Sequence, residues 1–156
     1  MLNDVIAFIT TENIYLVANW GVIPFWLLLI LAPNHGLTNF LAQSIIAPLL
    51  LATGYSYLSY NLYLEKNVFD GFELYSGLDG LYSMFPNEIL LLIFWLHFLA
   101  ISLFAGAWII RDARRYLIPK IITIPSLILT YFSGPVGIVI YWLIRIFFAK
   151  KISFND

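Results

Sequence analysis

The chain contains no cysteine, which excludes disulfides, thiolate metal sites, iron–sulfur clusters and a cysteine nucleophile. Charge is nearly as scarce. Asp, Glu, Lys and Arg make up 11% of the 156 residues, against about 25% in an ordinary soluble domain. A soluble globule this small cannot cover its surface with so few charges. The formal net charge of −1 lacks the basic surplus that nucleic-acid binding requires, so no nucleic-acid partner is expected. Histidine occurs only at His35 and His97, with no Glu-x-x-His pair, so no metal site is expected. Hydrocarbon is what the chain has in quantity: 62% hydrophobic residues, 18% aromatic, and a mean hydropathy of +0.88. That balance excludes both a soluble enzyme domain and a disordered chain.

Uncharged runs organise the sequence. Asn13 to Asn34 is 22 residues, Gly36 to Leu64 is 29, Ile89 to Ile110 is 22 around His97, and Ile121 to Ile144 is 24. A helix needs about 20 apolar residues to cross about 30 Å of hydrocarbon. A β-barrel would need alternating polarity, which these runs lack. The expectation is one all-α membrane domain over residues 1–156, a four-transmembrane-helix bundle with spans at about 13–33, 37–64, 87–111 and 121–148. Leu2, Val5, Ile6 and Ile9 share one helical face, which predicts an interfacial N-terminal segment. The aromatic and acidic stretch from Glu65 to Asn87 suits the membrane interface. Pro33-Asn34-His35-Gly36 marks a tight turn, and Asn87-Glu88 marks a helix start.

The fourth run carries Ser133-Gly134-Pro135 at its middle, where a helix kinks or breaks. A competing arrangement makes residues 121–149 a re-entrant hairpin, with both basic clusters on one face. Under four spans, Arg111, Arg114, Arg115 and Lys120 stand on one side against Lys66, Lys150, Lys151 and Arg145 on the other. The positive-inside rule then favours a cytoplasmic third loop by a small margin. The N-terminus has no basic n-region and no cleavage motif, so a multi-pass protein of a bacterial-type inner membrane is expected.

Polar groups inside the membrane are rare and mark candidate sites. His97 lies near the middle of the third run, where an imidazole can act as general base or hydrogen-bond partner, or can serve packing alone. Asn19 lies in the first run. Tyr55, Tyr57, Tyr60 and Tyr63 crowd the end of the second and read as an aromatic belt. Ser126, Thr130, Gly137 and Tyr141 form a stripe of small and hydroxyl residues, suited to close helix packing. Arg111, Arg114 and Arg115 read as a membrane anchor or a lipid-headgroup site.

Two blocks resemble those of a known family. His97 to Ala113, with Trp108, Arg111 and Asp112, is similar to the third-helix motif of the neoxanthin-synthesis membrane family (the plant abscisic-acid-deficient type and its bacterial relatives). Pro119 and the run Pro125 to Gly137, with Thr130, Gly134 and Pro135, look like its fourth-helix motif. Asn19, Pro24, Trp26, Pro33 and Pro48 fall where that family has similar residues, so the likeness covers roughly residues 11–149. The family pattern usually carries aspartate and arginine where this chain has Ser102 and Ala107.

The resemblance implies the handling of a carotenoid or other isoprenoid lipid within the bilayer. If the protein is catalytic, it implies an isomerisation that opens an epoxide and forms an allene without a cofactor. Such chemistry requires a base near carbon and an acid near oxygen in a dry groove. In that reading His97 is the acid/base group, Asn19 and Thr130 orient the substrate, and Trp26, Trp95 and Tyr141 line its groove. A non-catalytic membrane scaffold or subunit is the alternative, and a small transporter a third. Membrane lipid is the expected surrounding partner, and self-association is left open.

Overall fold

The computed structural model describes residues 9–65, 75 and 77–150. The interfacial segment expected before Ile9, and residues 66–74 of the second connection, lie outside them. The described chain is all helical: α1 Thr11–Leu31, α2 Gly36–Leu41, α3 Ile46–Glu65, α4 Leu78–Met84, α5 Glu88–Arg115, α6 Lys120–Ser133 and α7 Pro135–Ala149. Three stretches are long and apolar enough to cross a membrane: Thr11–Leu31, Gly36–Leu64 and Glu88–Arg115.

Local chemistry sets the helix ends. The Thr10 side chain accepts from the Asn13 amide at 3.2 Å and the Asn87 side-chain Oδ1 from the Leu90 amide at 3.0 Å, each satisfying an orphan donor of a first turn. Glu12 and Glu88 sit at positive dipole ends, and Arg114 and Arg115 at the negative end of α5. His35 caps α2, its Nδ1 accepting from the Leu37 amide. Its imidazole therefore serves a turn.

α5 is the central helix. It packs against α1, α3 and α6, which buries Leu92, Leu96, Leu99, Leu103, Ala107 and Ile110 around its circumference. α1 runs parallel to it. Gly106 leaves the slot that the Trp26 indole fills, since a β-carbon there would lie 2.8 Å from the ring.

The run expected as a fourth span is not one continuous helix in the structure. Residues 121–148 divide at Gly134 into two short helices, α6 and α7, that fold back on each other. Gly134 adopts φ +51°, a left-handed conformation that glycine alone takes cheaply, and Pro135 opens α7 with a preset φ and no lost donor. A β-carbon at Gly137 would lie 2.2 Å from the Thr130 amide nitrogen and 2.5 Å from the Ser126 carbonyl oxygen. Residues two turns apart in one continuous helix cannot approach so closely.

Depth follows from register. At the hairpin tip, Gly134 faces Phe98 and Ser102 of α5. Eleven residues on, Arg145 reaches Asp112, ten residues beyond Ser102 on α5. At 1.5 Å per residue both paths rise about 15 Å, so α7 returns to the end from which α6 entered. The chain thus has three helical stretches long and apolar enough to cross a membrane, followed by a helical hairpin. The basic end, in consequence, gathers Arg111, Arg114, Arg115, Lys120, Arg145 and Lys150, all the lysines and arginines among the described residues.

Candidate functional site

The expected site residues do not converge on one cavity. They occupy four regions.

His97 opens into a groove of about 520 Å³ between α3 and α5, whose walls include Tyr55, Ser59, Leu62, Ile93 and Tyr75, with Leu81 of α4 at its upper end. Positions 90, 93 and 97 share one face of α5, and 55, 59 and 62 share one face of α3, each at helical spacing. The Tyr55 ring lies 6.2 Å from that of His97, centroid to centroid. The groove therefore offers an imidazole and phenol and serine hydroxyls against aliphatic walls, about nine residues below the start of α5. Volumes of this order suit a small-molecule group or the end of a larger lipid.

Trp95 and Asn19 lie elsewhere. Trp95 stacks on Phe98 at 5.5 Å and approaches Tyr15 at 6.5 Å. Two residues of helix turn it well away from His97, towards α1. Asn19 is half-buried, one turn below Tyr15 on α1.

Trp26, Thr130 and Tyr141 are buried in packing. Trp26 meets Tyr131 edge to face at 5.5 Å, and its indole nitrogen has no hydrogen-bond partner. Thr130 donates its hydroxyl to the Ser126 carbonyl oxygen at 2.7 Å inside the hairpin. The Tyr141 hydroxyl donates to Asp112 at 2.6 Å, and Arg145 Nε donates to the same carboxylate oxygen at 2.8 Å. Arg145 also donates to the Tyr116 hydroxyl at 3.1 Å and lies over the rings of Tyr116 and Trp142, at 4.7 and 4.8 Å. Arg145 is 1% exposed and the Asp112 side chain 10%, so the ion pair is largely shielded from solvent.

Sequence reading missed this cluster. Its signal was Arg145 itself, a charge inside the apolar run from Val136 to Phe148 that requires a partner. The single acid of the basic block, Asp112, is the complementary charge.

The remaining arginines close the basic end. Arg111 donates to the Gln43 carbonyl oxygen at 2.6 Å. Arg114 donates to Asn39 Oδ1 and the Pro33 carbonyl oxygen, and Lys120 to the Leu31 carbonyl oxygen. Gln43 and Thr38 donate to Pro33 and Ala32. The carbonyls left over at the C-terminal end of α1 thus receive donors, several of them cationic. Arg115, at the last position of α5, is exposed.

At the positions where the family pattern usually carries charge, Ser102 is 3% and Ala107 2% exposed. Ser102 sits against the hairpin tip, where a carboxylate would be desolvated.

Comparison with known proteins gives a consistent picture. A family model described as ABA DEFICIENT 4-like matches residues 13–141, a range that includes both motif blocks. The chain is 29% identical over 137 residues to the Arabidopsis thaliana protein named "Protein ABA DEFICIENT 4, chloroplastic". The match covers 86% of this chain and 61% of that protein, so the chain spans about three-fifths of its relative's length. No solved structure matches.

Proposed function

We propose, from a chain that belongs to the ABA DEFICIENT 4-like family and carries a polar groove inside its membrane region, that the protein admits one end of a carotenoid or similar isoprenoid lipid beside His97. The observation that carries this reading is the His97–Tyr55 pair between the α3 and α5 walls. If the protein is catalytic, the reaction is a cofactor-independent isomerisation of an epoxide. The vinylic C–H bond on the alkene carbon next to the epoxide breaks and gives its proton to His97. The epoxide C–O bond opens, its oxygen takes a proton from a groove hydroxyl such as that of Tyr55, and the freed electron pair completes an allene. Proton loss and gain balance, so no oxidant or reductant is needed.

Asn19 and Trp95, on the α1 side, would hold the rest of an extended ligand, while Trp26, Thr130 and Tyr141 would shape the protein around it from within. The three long apolar helices support a membrane location, and a relative named as chloroplastic gives no support to the bacterial inner membrane expected from sequence.

The test is pigment analysis of the protein purified from a carotenoid-producing host and from the same host expressing His97→Ala. The proposal expects a co-purifying carotenoid and, for the catalytic form, a loss of allenic product of about 10²-fold or more in the variant. No retained carotenoid, with host pigments unaltered by His97→Ala, overturns it.

A second reading is favoured by Ser102 and Ala107, uncharged and buried where the family pattern usually carries charge. In that reading the protein is a non-catalytic membrane subunit. A deletion strain with normal pigments, together with a defined co-purifying partner, selects it.

A further inference from the structure

A second groove, of about 410 Å³, opens at the basic end between the C-terminal end of α1, the end of α5 and the start of α6. Arg114 and Lys120 line it, with Asn34, Ile110, Leu117 and Ile118. Three features of this groove point to one ligand chemistry.

Its cations are hydrogen-bonded without being neutralised. The partners of Arg114 are the Asn39 side-chain oxygen and the Pro33 carbonyl, and the partner of Lys120 is the Leu31 carbonyl. All are uncharged. Asp112, the one carboxylate described at this end, is committed to Arg145 and Tyr141. One donor also lacks an acceptor: Arg114 Nε is buried and has no hydrogen-bond partner, a costly state for an N–H next to a delocalised charge. The groove further lies where α6 begins, at Pro119–Lys120, whose positive dipole end offsets the negative ends of α1 and α5 that meet there. Finally, its other wall is greasy. Leu117 takes a left-handed φ of 54° as α5 ends, and its side chain is 86% exposed. Ile118 and Ile110 continue that surface inward.

We propose that this groove holds the phosphate of an anionic phospholipid, with Arg114 and Lys120 as its cationic ligands and the acyl chains running down past Leu117 and Ile110. The chemistry combines an oxyanion with hydrocarbon, and the groove lies at the membrane-surface end of α5, where such a headgroup sits. The site is separate from the His97 groove and does not depend on what that groove binds.

The experiment uses the full chain in mild detergent, with retained lipid counted by native mass spectrometry after incubation with phosphatidylglycerol or phosphatidylcholine. Unfolding temperature is followed in parallel. The variants are Lys120→Gln, Lys120→Arg and, as a charge-matched control outside the groove, Lys150→Gln. The wild type is expected to retain phosphatidylglycerol over phosphatidylcholine and to be stabilised by it. Lys120→Gln should reduce retention about fivefold, the scale of one cation at a headgroup. Lys120→Arg and Lys150→Gln should keep it, and the Arg variant separates lost charge from lost folding. Equal retention of the two lipids, equal losses in Lys120→Gln and Lys150→Gln, or the same stabilisation by millimolar inorganic phosphate alone would each overturn the assignment. The last result would make the site one for a free anion.

Discussion

Removing the Arg145 guanidinium would leave Asp112, its side chain only 10% exposed, beside Tyr141 without the cation that balances it. Breaking one side of such a pair costs about 3–5 kcal/mol, while replacing both partners with apolar residues often costs little. Arg145→Leu should therefore destabilise the detergent-solubilised protein strongly in an unfolding titration. Arg145→Leu combined with Asp112→Leu should recover much of the loss. Glycines give an equally sharp contrast. A β-carbon at Gly137 would strike the Thr130 backbone at 2.2 Å, whereas one at Gly54 meets only Leu96 Cδ1 at 3.4 Å. Gly137→Ala should cost about 1–3 kcal/mol, and Gly54→Ala should unfold at nearly the wild-type midpoint. At this scale the sequence showed which residues were unusual but not whom they meet. His97 stands out as an ionisable group in hydrocarbon. Its neighbour Tyr55 sits among tyrosines that an aromatic belt explains equally well, and only the α3–α5 packing pairs the two rings.

Among helices, the hairpin was the hard case. Hydropathy measures how much of a chain lies in oil, and α6 plus α7 lie in oil whether they cross it or turn back. The 24 uncharged residues from Ile121 to Ile144 therefore look like a span. Gly134-Pro135 identified where the run breaks but could not give the angle of the break. The angle is set by packing, in the close approach of Gly137 to Thr130 and in the pairing of Arg145 with Asp112 33 residues away. The long helix Glu88–Arg115 was legible because its ends coincide with a capping residue and charges, as at Asn87-Glu88, whereas the second run, expected unbroken over 37–64, divides into Gly36–Leu41 and Ile46–Glu65. Gly134→Ala probes the turn itself. Forcing a left-handed φ on alanine costs about 1–2 kcal/mol, and the added carbon would press on Phe98 and Ser102. The unfolding midpoint should fall accordingly, and a midpoint unchanged from wild type would argue that α6 and α7 do not turn sharply there.

The whole molecule is electrically lopsided because the hairpin turns back. Four spans would have placed Arg145 and Lys150 opposite the Arg111–Arg115 block and left orientation almost undecided. The folded-back hairpin brings them together, with Glu12, Asp79 and Glu88 at the other end. Positive residues near span ends remain on the side from which a chain inserts, so the basic end should face the cytoplasm or its organellar equivalent.

The natural absence of cysteine makes this directly measurable. Single cysteines at Leu117, Lys150 and Asp79, each tested in intact membrane vesicles of known orientation with a membrane-impermeant maleimide, report which side each position faces. The re-entrant arrangement requires Leu117→Cys and Lys150→Cys to label from the same side and Asp79→Cys from the other. Lys150→Cys labelling together with Asp79→Cys, opposite Leu117→Cys, would mean a fourth crossing and would contradict the hairpin on which the charge distribution rests.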